Sequence, residues 1–317
     1  MAVVLTVDRL RWHQHIAGTI SDFGSQVTAV VKGNGYGFGR QVLIEVAEQH
    51  GISTCAVGTV HELAGTAAHS GDILCLTPTF SDVSGLAANV VLTVASESHL
   101  DHLRRQGTHP GVAVKLRSSM QRYGFAPDRL PATSMLGGSE LHCYMIHLPL
   151  SGTMAEHLAE IESWLDHLDP AIEISVSHLD PATFAALSNR HPRHSFTIRL
   201  GTALWHGDKS TVHVRADVLD THSVRAGEQL GYRATTVGAD GTVVLIGGGS
   251  AHGIARLEGG ASPFHFARTR LSLIESPHMH TSMAFVPAGQ PVPQPGEWVD
   301  VQRPLTMTEV DRIEWLD

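Results

Sequence analysis

The chain has 317 residues, of which 42% are hydrophobic and 17% charged, with a formal net charge of −9. That length gives a prior of about two domains, and the hydrophobic content excludes intrinsic disorder. No apolar run approaches the ~20 residues of a membrane span, the N-terminus turns charged too early for a secretory signal, and the acidic balance disfavours nucleic acid and anionic membranes as partners.

Three lysines (Lys32, Lys115, Lys209) and four tyrosines (Tyr36, Tyr123, Tyr144, Tyr232) stand against 22 histidines. A mechanism that needs an amine or a phenol therefore has few candidates. Three widely spaced cysteines in apolar runs read as reduced core residues, which fits a cytoplasmic protein.

In chain order, short β-rich runs fall at 27–32, 54–59, 72–78, 89–95, 111–117, 140–148, 172–179 and 195–200. Amphipathic helical stretches sit between most of them, such as 40–51 and 153–168, the latter led by Ser151 or Thr153 as N-cap and followed by Pro170. Eight strands, each apolar on both faces and alternating with helices, predict a parallel sheet covered all round. Eight is the number that closes a (β/α)8 barrel; an open doubly wound sheet is the alternative. From about 206–212 the texture changes to short alternating strands separated by Gly and Pro turns. The expected fold is α/β, an N-terminal TIM-like barrel (1–208) followed by a C-terminal all-β domain (209–317).

Lys32 ends the first barrel strand and precedes the run GNGYGFG. Catalytic residues of such barrels lie at the C-terminal ends of strands. A lysine projecting into the mouth there is expected to be desolvated and ready for Schiff-base chemistry. A glycine-rich turn with a solvated lysine is the competing reading. The second cluster is IRLGTALW (198–205), with Arg199 closing the eighth strand and Gly201 and Thr202 following it. Loops after strands 7 and 8, here Asp180–Thr183 and Gly201–Leu204, are where this architecture frequently binds phosphate.

VVKGNGYGFG, SMQRYGF, IHL at 146–148, SHLDPAT, IRLGTALW and AGEQLGYRATT…IGGGSAHG, in that order, resemble the landmarks of the alanine racemase family. The resemblance implies pyridoxal phosphate as cofactor and racemisation of alanine or another small amino acid. By that resemblance Lys32 carries the cofactor as a Schiff base and acts as one base, and Tyr36 hydrogen-bonds its phosphate. Gly201 and Thr202 offer backbone amides to the phosphate, with Thr183 replacing a family serine. His147 lies near the pyridine ring and Arg199 faces its nitrogen. Arg122 steadies the substrate carboxylate, and Met279 lies on the substrate side. A head-to-tail homodimer with shared active sites, and D-amino-acid supply to the cell wall, are also implied. An arginine is effectively always protonated, so it leaves the pyridine nitrogen unprotonated and weakens the electron sink.

The chain departs from the family at the second base, a tyrosine in G-Y-A-D-G. Here the segment reads Gly249-Ser250-Ala251-His252-Gly253, and the family's M-D-Q is Met279-His280-Thr281. Three readings stay open. His252 supplies the second acid/base, an imidazole titrating near neutrality, with Ser250 the poorer candidate. Or the chain catalyses a different, one-base reaction. Or it binds pyridoxal phosphate in a degenerate or regulatory role. A metal-dependent hydrolase is a fourth class, on HQH (13–15), HMH (278–280), His147 and His178, without a well-spaced third ligand.

Overall fold

The computed structural model describes residues 2–66 and 69–317. They form two compact units: His15–Gly207, and the described residues up to Gln14 together with Asp208–Asp317. The chain starts with β1 (Val3–Asp8) and α1 (Arg9–Asp22).

The first unit is a closed parallel barrel of β2 (Val27–Val30), β3 (Thr54–Val57), β4 (Asp72–Cys75), β5 (Val90–Val94), β6 (Gly111–Lys115), β7 (Leu141–Met145), β8 (Glu173–Val176) and β9 (Phe196–Leu200). β9 closes on β2 through Val27 with Ile198, Thr28 with Arg199 and Ala29 with Leu200. All eight expected runs are strands. The expected doubly apolar faces are clearest in β2 and β5, where every residue is buried. Such strands have no solvent face to encode, so they appear in sequence as continuous apolar runs.

Crossovers carry α2 (Arg40–Gln49), α3 (Glu97–Gln106), α4 (Met154–Leu165) and α5 (Pro181–Arg190), and the short α6 (Thr202–His206) follows β9. Of the two N-cap candidates for α4, Thr153 is used. Its hydroxyl accepts from Glu156 N–H while Glu156 reaches back to the Thr153 N–H, a reciprocal capping box. α5 starts with Asp180 accepting from Thr183 N–H and Pro181 in the first turn, where its missing N–H costs nothing.

The second unit is built on a nine-stranded sheet. Its spine is β10 (Val212–Val224), which pairs antiparallel with Gly241–Ile246 and Trp298–Val301. β1 belongs to this sheet, antiparallel to β10 and parallel to Arg312–Leu316. Reading residues 1–208 as one barrel segment therefore misplaces the N-terminal strand. Its partners lie more than 200 residues away, and an apolar VVLTV run does not encode them. All three cysteines are free and buried, and burial pushes each thiol up to about 12, which makes them inert core residues.

Candidate active site

β2 ends at Val30, so Lys32 stands two residues beyond the strand, and it is exposed. The desolvation expected at Lys32 is not supplied by this chain. The glycine run after it is a compact turn in which the Asn34 side chain accepts from Gly37 N–H at 3.1 Å. Arg40 donates to the Gly33 carbonyl. A Cβ on Gly35 would lie 2.4 Å from Arg40 N, so only glycine fits.

This turn holds Tyr36 in the left-handed region (φ 54°), a conformation uncommon for a tyrosine. Tyr36 is buried, its ring edge-on to His206 at 5.6 Å, and burial pushes its phenol up to about 12. Its hydroxyl rests on Gly201, where a Cβ would lie 2.0 Å from Oη. The structure thus brings Tyr36 and Gly201 together. Thr202 opens α6 and is exposed. Thr183 lies in the first turn of α5, its N–H already used by Asp180 at 2.7 Å.

Arg199 sits inside the barrel. Its Nη1 donates to Ser175 O at 2.6 Å and Ser175 Oγ at 2.8 Å, and its Nη2 donates to Ile146 O. These partners are neutral. Burial lowers its guanidinium to about 10, and no carboxylate opposes the shift. His147 follows β7. Ser177 Oγ lies 2.9 Å from its Nδ1 and also accepts the Leu148 N–H, so the serine proton is assigned to Nδ1. Burial, then Arg199, Lys115, His178 and Lys32, push His147 down to about 2. It is therefore a neutral ring. His178, in the left-handed region (φ 59°), stands edge-on to His147 at 4.9 Å and is lowered by burial and Arg199.

Lys115 closes β6 and is buried. Burial, Arg199 and Arg122 hold its amine well below the usual lysine range. The desolvated lysine expected at Lys32 is thus found at Lys115. Arg122 is exposed and donates to Tyr123 Oη at 3.2 Å, its guanidinium 5.0 Å from that ring. Ser175 and Ser177, which contact Arg199 and His147, are the residues sequence reasoning missed, and they carry no motif of their own.

In the sheet unit, Ser250 is exposed and His252 is buried. His252 Nδ1 accepts the Gly249 N–H at 3.2 Å, and its Nε2 lies 3.5 Å from Asp311. The turn is stitched to the next loop by Ser250 N–H to His278 O (2.7 Å) and Ala251 N–H to Met279 O (2.9 Å). A Cβ on Gly249 would lie 2.1 Å from His278 O. Met279 is exposed and Nε2 of His278 is 2.5 Å from the Glu275 carboxylate. His252 Nδ1 is thus tied to the local fold, while Nε2 faces the Asp311 carboxylate at 3.5 Å. Among the described residues no group of three or more His, Cys, Asp or Glu is placed to hold a metal, so the ligand set a hydrolase needs is not assembled.

Lys32, Lys115, Arg199, His147 and His178 lie at or just beyond the C-terminal ends of barrel strands, where Glu62 accepts the Gly33 N–H at 3.0 Å beside Lys32. The fold is a (β/α)8 barrel with ionisable residues at the C-terminal ends of its strands. Residues 8–209 match the family described as "Alanine racemase, N-terminal domain", and the chain belongs to that family. It is 25% identical over 293 residues to alanine racemase of Lawsonia intracellularis, covering 81% of this chain and 76% of that one. It is 28% identical over 268 residues to alanine racemase of Mycobacterium ulcerans, covering 74% and 69%. Among solved structures, alanine racemase from Bartonella henselae with covalently bound pyridoxal phosphate superposes with a TM-score of 0.76 at 17% identity, over 100% of both chains. Alanine racemase from Bacillus anthracis with bound L-Ala-P gives 0.73 at 20% identity, over 95% of this chain and 85% of that one.

Proposed function

We propose that the chain is a pyridoxal-phosphate-dependent amino-acid racemase, with Lys32 as the point of covalent attachment. The observation that carries this reading is the buried Arg199, whose hydrogen-bond partners are all neutral. A desolvated arginine with only neutral partners is costly unless an anion or electron-rich atom completes it. The residues fit the cofactor. Gly201 is kept free of a side chain under the Tyr36 hydroxyl, leaving backbone and phenol for a phosphate. Arg199 presents a fixed positive charge for the ring nitrogen, and Arg122 is an exposed cation for a substrate carboxylate. His147 is locked neutral, so it packs against a ring without adding charge.

Pyridoxal phosphate, when bound, acidifies the α-proton of the amino acid it carries. With the cofactor bound, Lys32 Nζ would exchange that proton on one face, and Arg199 would be the residue that holds the ring nitrogen unprotonated. Membership of the family supports alanine or another small amino acid as substrate and a D-amino acid as product. The head-to-tail homodimer, cytoplasmic location and supply of cell-wall precursors are corollaries of the same reading.

Borohydride reduction of cofactor-loaded protein, followed by peptide mapping, tests it. Label on Lys32 is expected, and Lys32→Ala should lose the absorbance band. Label on buried Lys115, or colourless protein that takes up no cofactor, overturns the assignment. The hydrogen bond that ties His252 Nδ1 to the Gly249 amide favours one second reading, a one-base reaction. Deuterium exchange into L- and D-alanine separates the two, since a one-base enzyme exchanges a single enantiomer.

A further inference from the structure

Lys32 is exposed, so burial does not lock its amine in place. Its long side chain keeps its rotamer freedom, and an amine reacts fast only from a held, aligned position. The backbone sets the direction in which the side chain leaves. We propose that Glu62 is a positioning residue for Lys32, its carboxylate tethering the peptide group that follows the lysine; the inference rests on the assignment of Lys32 above.

Glu62 Oε2 accepts the Gly33 N–H at 3.0 Å and the Gly58 N–H at 2.8 Å. The Gly33 N–H belongs to the peptide unit that joins Lys32 to Gly33, so the first bond holds the lysine's own peptide. Gly58 directly follows β3, so the second bond seats the same oxygen on the neighbouring strand end. β2 and β3 pair in parallel, and their ladder runs on through Val31 N–H to Ala56 O at 2.8 Å, one residue before Lys32. At Gly33 the backbone turns into the left-handed region (φ 66°), where no strand continues. The carboxylate takes over the joining of the two strands at that point.

Both ends of the tether are anchored. Gly35 N–H donates to Lys32 O at 3.2 Å, and Arg40 donates to the Gly33 carbonyl. On the other side Thr77 N–H donates to Gly58 O at 3.0 Å, beyond the end of β4. A Cβ on Gly58 would lie 2.8 Å from Glu62 Oε1 and 3.2 Å from Oε2, so the carboxylate occupies the space of a side chain there. Amide bonds to a carboxylate are charge-assisted and stronger than neutral ones. The bond to Gly58, four residues back, finishes a local turn. The bond to Gly33 crosses 29 positions and ends on the peptide of the lysine. Glu62 thus acts through Lys32 and not on substrate.

The test separates covalent capture from non-covalent fit. Pyridoxal phosphate offers an aldehyde to an amine, whereas pyridoxine phosphate carries an alcohol there and binds without capture. In Glu62→Ala, borohydride-trapped label on Lys32 should form about tenfold or more slowly, the effect of a small misplacement. Pyridoxine phosphate affinity should not change. Glu62→Gln keeps a carbonyl acceptor and should restore most of the rate. Gly58→Ala pushes the carboxylate aside without removing its charge, and should slow capture as Glu62→Ala does. In cofactor-free Glu62→Ala, the Gly33 and Gly58 amides should lose protection from hydrogen exchange together. Capture at the wild-type rate in Gly58→Ala or Glu62→Ala overturns the proposal and leaves Lys32 as the attachment point. So does a Glu62→Gln rate as low as that of Glu62→Ala, or an equal loss of pyridoxine phosphate affinity. Wild-type protein that takes no label on Lys32 overturns both. Should Glu62→Ala fail to fold, the Gly58→Ala and Glu62→Gln rates decide.

Discussion

The barrel mouth and the 249–253 turn of the sheet unit each hold a histidine that the sequence marks as functional, and they treat it in opposite ways. His147 is half-buried among cations, held neutral, with Ser177 on its Nδ1. His252 is buried with Asp311 opposite Nε2 and the Gly249 amide on Nδ1. Charge left without an opposite partner marks a place that a ligand completes. Charge answered inside the chain marks a place that holds the fold together. By that criterion we propose the mouth as the site and the turn as a structural joint.

Removing the mouth's fixed cation should have the largest effect. Arg199→Ala withdraws donors from Ile146 O, Ser175 O and Ser175 Oγ. Buried acceptors left unsatisfied cost ~1–3 kcal/mol each. A loss of about 2–5 kcal/mol in chemical denaturation is expected, with cofactor affinity weaker by about 10²-fold, the range of a charged hydrogen bond. Unchanged affinity would put the cation outside the binding site.

Gly201→Ala tests the phosphate side. The added methyl would meet Tyr36 Oη at 2.0 Å and Cζ at 2.7 Å. Overpacking of this kind costs ~1–3 kcal/mol. Adding Tyr36→Phe removes the nearer clash only, so the double variant should regain part of the stability and none of the phosphate affinity. Additive losses would show that the two residues do not touch. At the turn, His252→Ala should cost about 1–3 kcal/mol, the price of orphaning the Gly249 amide in a buried joint. A loss of turnover with no loss of stability would return His252 to the catalytic candidates.

The barrel was legible because parallel strands buried on both faces write themselves as continuous apolar runs. Arg199 and Gly201 stand out in the sequence at the end of the eighth strand, and Tyr36 only through the family resemblance. The burial of individual groups was not legible. Lys32 lies two residues past Val30, the end of β2, and is exposed, while Lys115 is the last residue of β6 and is buried. The role of His252 depends on Asp311, 59 positions away, and the placement of Val3–Asp8 on β10. The loop after β6 takes a conformation set by Gln121 and Gly124, which no periodicity encodes.

The smallest effect expected is a pH dependence that reports the mouth directly. His147 is lowered from 6.5 to about 2 in the folded chain, chiefly by burial and then by Arg199. Between those values the unfolded chain binds a proton there that the native chain refuses. Stability rises with pH wherever the unfolded state holds more protons, so acidification below about 6.5 should destabilise the protein through this group. His178, lowered for the same reasons, adds to the trend. In His147→Gln, measured without added cofactor by denaturant midpoints from pH 7.5 down to 5, the slope should fall by up to one proton per molecule. The variant loses the Ser177 contact at every pH, a constant offset that leaves the slope difference readable. Parallel curves would mean that His147 takes its proton in the native state, which surrounding cations forbid.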